Sequence, residues 1–112
     1  NHGAMMRDFT FIDDIVAGTV AAVDLGAECE VFNLGNHRPV ALGRFIEILE
    51  DALGRKALKE NVAMQKGDVE KTYADIERSQ SLLGFVPATS LEAGIPKFVS
   101  WFKDYYIKMG IH

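Results

Sequence analysis

The cleanest amphipathic pattern in the chain lies between residues 41 and 53. Phe45, Ile46, Ile48, Leu49, Ala52 and Leu53 recur at i, i+1, i+3, i+4, i+7 and i+8, the spacing of one apolar helix face. Glu47, Glu50 and Asp51 mark the wet side, and Gly54 stands where a left-handed C-terminal stop belongs. Upstream, Phe9 and Phe11 alternate with polar neighbours and predict a short strand. A helix follows from about Asp14 to Asp24, with Asp13 as its N-cap, a stripe of Ile15, Val16, Thr19, Val20 and Val23, and Gly26 as its stop. Glu30 to Leu34 is a β-branched and aromatic run closed by Gly35, which predicts a second strand. A polar turn to Pro39 separates it from the helix at 41–53.

Beyond Gly54 the pattern loosens. Asn61 to Met64 is a further strand candidate, and Gln65 to Tyr73, carrying Gly67, reads as a loop. Asp75 predicts the N-cap of a short helix over Ile76–Leu83, ended by Gly84 with Phe85 beyond it. Thr89 and Glu92 have the spacing of a capping box for a last helix. Its buried stripe is predicted as Ile95, Phe98, Val99, Phe102, Tyr105 and Tyr106, with Pro96 forcing a kink or a start near Ile95. The class is α/β, with about four helices and two or three short strands. No repeat or low-complexity tract interrupts it.

Composition narrows the partners. The 112 residues make one domain at most, and 48% hydrophobic with 25% charged residues is globular usage. A net charge of −4 gives no support for nucleic acid or an anionic membrane surface. No run approaches the length of a membrane span, and the N-terminus lacks a signal peptide's layout. Cys29 is the one cysteine, so no internal disulfide forms, which is compatible with a cytoplasmic protein.

Arg7, at the entry to the first strand, offers a planar, always-charged fork of donors suited to phosphate. The plainer alternative is a surface ion pair with Asp8 or another carboxylate. The neighbouring Asp13 and Asp14 point different ways and read as capping rather than as a catalytic pair. His2, His37 and His112 lack metal-ligand spacing, and Cys29 has no local base to activate it. The glycines are never spaced as a dinucleotide-binding loop, G-x-G-x-x-G or G-x-x-G-x-x-G. The rings from Trp101 to Tyr106 are read as core plus a partly exposed tail.

Several ordered pieces carry a family resemblance. Arg7-Asp8-Phe9-Thr10-Phe11-Ile12-Asp13-Asp14 is similar to the RDFxYxDD signature of extended short-chain dehydrogenase/reductase proteins, with Phe11 where tyrosine is commoner. Asn1-His2-Gly3 resembles the approach to that signature in UDP-glucuronate 4-epimerases. Val31-Phe32-Asn33-Leu34-Gly35, Gly67-Asp68-Val69, Thr72-Tyr73-Ala74-Asp75, Leu83 to Pro87, Leu91 to Ile95 and Trp101-Phe102 follow in family order. The resemblance implies the C-terminal substrate-binding part of an NAD-dependent nucleotide-sugar 4-epimerase of UDP-glucuronate or UDP-galactose type. A 4,6-dehydratase or reductase of the same superfamily is the alternative, and a non-catalytic binding or assembly module is another.

In such enzymes the arginine matching Arg7 contacts the diphosphate, and the aspartate matching Asp68 reaches the ribose hydroxyls. Some relatives carry a phosphate-binding arginine three residues before that aspartate; here it is Gln65, which can donate a hydrogen bond but brings no charge, beside Lys66. The superfamily's Tyr-x-x-x-Lys pair is missing, since Glu77, Met109 and Gly110 follow Tyr73, Tyr105 and Tyr106 by four. The expectation is therefore a chain cut from something longer, without the Rossmann NAD domain and inactive by itself, NAD belonging to the parent enzyme. UDP-sugar binding would be weak or lost in the fragment. An exposed sheet edge or apolar face would promote homo-oligomers.

Overall fold

The structure, a computed structural model, describes residues 3–110. It contains β1 (Met6–Arg7), α1 (Ile12–Leu25), β2 (Val40–Ala41), α2 (Leu42–Leu53), α3 (Glu77–Leu83) and α4 (Leu91–Lys108). β1 and β2 pair antiparallel, Met6 opposite Ala41 and Arg7 opposite Val40. On its other side Met6 makes a parallel bridge to Lys71, its N–H donating to Glu70 O at 2.8 Å and its carbonyl accepting from Thr72 at 3.1 Å. The segment before Arg7 is thereby held between two distant stretches of chain.

The α2–α4 seam follows the helical pattern closely. Ile48 of α2 meets Ile95 and Val99 of α4, with Phe45, Leu49, Leu53 and Leu91 packed around them. Phe9 stacks on Phe45 at 4.4 Å between ring centroids and so fastens the first loop to this core. Gly26, Gly54 and Gly84 end the first three helices in the left-handed conformation expected of them. Pro96 lies inside α4, and the helix runs through it from Leu91.

Several expectations are corrected. α1 begins at Ile12, two residues early, with Phe11 at the cap position and no side-chain cap, so Asp13 does not cap it. The inward carboxylate is Asp14, buried and accepting from the N–H groups of Ala88 (3.2 Å) and Thr89 (3.0 Å). The face that α1 buries carries Asp14 and Gly18 rather than the predicted stripe. A Cβ on Gly18 would stand 2.7 Å from Leu34, so glycine there lets α1 approach Leu34 and Phe85 closely. The stripe of Val16, Val20 and Val23 is left exposed. Similarly, in α4 only Ile95 and Val99 of the predicted stripe are buried. Phe98, Trp101, Phe102 and Tyr105 are exposed and contact one another along the helix.

The cap of α4 is Ser90, whose side chain accepts from Ala93 N–H at 3.2 Å, and not Thr89. The cap position of α3 is Ile76, although Asp75 Oδ1 still accepts from Glu77 N–H at 3.1 Å. No strand forms around Phe9 and Phe11, at Glu30–Leu34 or at Asn61–Met64. The second of these stretches is held by side chains instead: the fully buried Ser79 donates to Asn33 O at 2.6 Å, and Asn33 Nδ2 donates to Asp75 O at 3.2 Å. The sheet edge expected there as a self-association surface is therefore absent. Glu50, placed on the wet face of α2, is buried.

Candidate functional site

Arg7 and Asp68, 61 residues apart, converge. Arg7 Nη2 lies 3.0 Å from Asp68 Oδ1, and Arg7 Nη1 donates to Met6 O at 2.8 Å. These contacts leave donors of the five-donor guanidinium uncommitted. Both side chains keep access to solvent, 28% and 41% exposed respectively. Arg7 thus has the ion-pair partner that is the plain reading of its charge, and that partner is itself one of the residues singled out as nucleotide contacts.

Asp68 is delivered by a tight turn. Its N–H donates to Gln65 O at 3.3 Å across Lys66 and Gly67. Gly67 has φ +82°, which fits the third position of a type II turn and favours glycine there. Asp68 Oδ1 also accepts from Val69 N–H at 2.9 Å, which fixes the carboxylate while it faces Arg7. Gln65 is exposed at the start of the turn, with Lys66 exposed beside it.

The scaffold under Arg7 is built on Asp8, a residue that the sequence offered only as an ion-pair partner. Its Oδ2 accepts from His37 N–H at 3.0 Å and Ala74 N–H at 2.9 Å, and its Oδ1 from Arg38 N–H at 3.3 Å. One half-buried carboxylate therefore ties the 35–38 turn to the 72–75 strap. His37 completes the stitch through Nδ1, 2.6 Å from Ala74 O. A carbonyl only accepts, so the Nδ1 atom carries the proton. A Cβ on Gly35 would stand 2.6 Å from Ala74 Cβ and 3.1 Å from Asp8 Oδ2, which is why a side chain does not fit there.

Glu50 is the other carboxylate that the hydrophobic pattern misassigned. Lys59 and Lys56 reach it at 2.8 and 3.2 Å, and Lys59 above all holds its carboxyl below the usual carboxylate range. Among the described residues no group of three His, Cys, Asp or Glu side chains could hold a metal ion. His2 and His112 lie outside the described residues. No helix among the described residues is long and apolar enough to cross a membrane.

No protein-family model matches the chain. It is 43% identical over 120 residues to UDP-glucuronate 4-epimerase 4 of Arabidopsis thaliana, covering 95% of this chain and 28% of that protein. Its homologues include several UDP-glucuronate 4-epimerases. It matches their C-terminal part. The UDP-glucuronic acid 4-epimerase of Bacillus cereus, solved with UDP-glucuronic acid and NAD, superimposes with a TM-score of 0.80 at 33% identity. That match covers 93% of this chain and 34% of the Bacillus chain. UDP-glucose 4-epimerase of Thermotoga maritima, solved with UDP-glucose, superimposes with a TM-score of 0.80 at 29% identity over 94% of this chain and 34% of its own.

The chain spans about a third of the length of the curated relatives it matches. The fold is that of a C-terminal portion of Rossmann-type epimerases, with four helices and a two-stranded antiparallel sheet.

Proposed function

We propose that this chain is the nucleotide-gripping part of an NAD-dependent UDP-sugar 4-epimerase, of UDP-glucuronate or UDP-galactose type. The observation that carries this is the meeting of Arg7 with Asp68 across 61 residues, in a chain homologous to UDP-glucuronate 4-epimerases. Arg7 takes the diphosphate, for which its uncommitted donors are suited. Asp68 accepts from the ribose hydroxyls, and Gln65 donates a neutral hydrogen bond where a second cation would strengthen the phosphate clamp. The Arg7–Asp68 pair is then a resting arrangement that preorients both groups before the nucleotide arrives.

The residues present do not fit NAD. No glycine-rich turn of the dinucleotide type occurs in the sequence, and Gly67, next to Asp68, serves the 65–68 turn. The cofactor and the proton-transferring groups are assigned to the remainder of the parent enzyme, a Rossmann domain, and this chain alone is inactive. The exposed faces, Val16 to Val23 on α1 and Phe98 to Tyr105 on α4, are the apolar surfaces through which the isolated chain self-associates.

Calorimetric titration of the 112-residue chain with UDP is the test. Weak saturable binding is expected, with a loss of about tenfold in Arg7→Ala, the cost of one charge-assisted contact at a partly exposed site. Binding unchanged by Arg7→Ala would remove Arg7 from the site. Light scattering on the same samples is expected to show a mass that rises with concentration, and a strict monomer would refute the self-association.

A further inference from the structure

α2 delivers a buried carboxylate to the start of the loop that carries the turn described above. Glu50 is 5% exposed, and a lysine further along the chain lies at ion-pair distance from each of its oxygens, Lys59 2.8 Å from Oε1 and Lys56 3.2 Å from Oε2. A carboxylate withdrawn from water is costly unless cations meet it. The two lysines are therefore drawn across it, bringing their backbone with them. The lysines themselves reach it from the surface, 48% and 83% exposed.

The loop they belong to needs such an anchor. Residues 55–70 form no helix or strand, and every one of them is exposed. Leu58 is fully exposed and Val62 half exposed, so the loop does not place itself by burying apolar side chains. At its far end the loop is fixed by Met6 N–H to Glu70 O and by the Arg7–Asp68 pair. At its near end the described ion pairs are those to Glu50.

We propose that Glu50 is a positioning residue for the nucleotide-binding turn: by clamping Lys56 and Lys59 it sets the path of the 55–70 loop and hence where Gln65 and Asp68 stand. The part of this inference that concerns the nucleotide rests on the reading in the preceding subsection; the clamp itself does not. The size of the effect follows from chain statistics. Releasing both lysines moves the last clamped position before Asp68 from Lys59, about nine residues away, back to the end of α2, about fourteen away, a factor of about two in closure probability; releasing Lys59 alone moves it to Lys56, about twelve away, a factor of about 1.5. Loss of orientation at the turn adds to it.

The test uses the full chain with Glu50→Gln, Lys59→Met and Lys59→Arg. Tryptic cleavage after Lys66 reads loop tethering, circular dichroism reads the helices, and UDP titration reads the site. Glu50→Gln is expected to keep the helices, to be cut after Lys66 at least threefold faster, and to bind UDP about twofold or more weakly; Lys59→Met is expected to move both readouts in the same direction by less. Lys59→Arg keeps the charge and is expected to behave as the unmodified chain.

A folded Glu50→Gln chain cut at the unmodified rate overturns the clamp. Faster cutting with unchanged UDP affinity overturns the positioning. If Glu50→Gln does not fold, Lys59→Met decides by the same two readouts, since it leaves Lys56 on Glu50. If the unmodified chain does not bind UDP, the nucleotide reading fails, and the clamp stands or falls on cleavage after Lys66.

Discussion

The α2–α4 seam and the loops around Asp8 are held by different physics. In the seam, Ile48, Ile95 and Val99 bury apolar surface, and the register of two helices does the positioning. Around Asp8 three backbone N–H groups converge on one carboxylate, and a glycine allows two segments to touch. The seam tolerates approximate complementarity, because apolar contact is non-directional. The loops do not, because hydrogen bonds weaken steeply with angle and distance. The candidate site stands on the second kind of structure, where a rigid placement of donors is what a diphosphate requires.

That contrast can be broken at either end. Ile48→Ala should produce the larger effect, about 3 kcal/mol of lost stability, from lost transfer energy plus a cavity facing Ile95 and Val99. Denaturant unfolding measures it, and a change below 1 kcal/mol would mean that the seam is not the core. Asp8→Asn should cost less, about 1–2 kcal/mol, since one oxygen remains but an amide donor now faces a backbone donor. Its signature is local: amide hydrogen exchange should accelerate at His37, Arg38 and Ala74 while α2 and α4 keep their protection. Uniform acceleration across all helices would show instead that the loops and the seam unfold as one unit.

The seam was legible in the sequence, and the loops were not. Helical periodicity at 45–53 and the C-terminal glycines report local physics, so α2 and the ends of α1 and α3 appear where expected. The stretch at Glu30–Leu34 has a strand's composition, yet Asn33 O accepts from Ser79, Asn33 Nδ2 donates to Asp75 O and Leu34 lies against Gly18, partners that no local pattern announces. α1 misled for a related reason: its valine stripe is the stronger apolar signal, but Gly18 permits the closer approach.

Arg7 and Asp68 were found through motif resemblance, whereas their mutual contact depends on a bridge from Met6 to Lys71 that has no sequence signature. Asp8 gives no sign in the sequence of its role as a scaffold, because a carboxylate beside an arginine reads first as its ion-pair partner. Glu50 carried a faint signal. It lies on the flank of the apolar face, four residues after Ile46 and three before Leu53, with lysines following at 56 and 59.

The double bridging of Met6 also has a kinetic side. Met6 pairs with Ala41 on one flank and Lys71 on the other, Asp8 waits for Ala74, and Asp14 waits for Ala88 and Thr89. Residues 6–14 are thus among the last of these segments to find their partners. Closing loops this long is slow relative to forming helices, so α2 and α4 can dock while residues 6–14 are still searching. Order reaches the site only when residues 68–74 have closed onto residues 6–8.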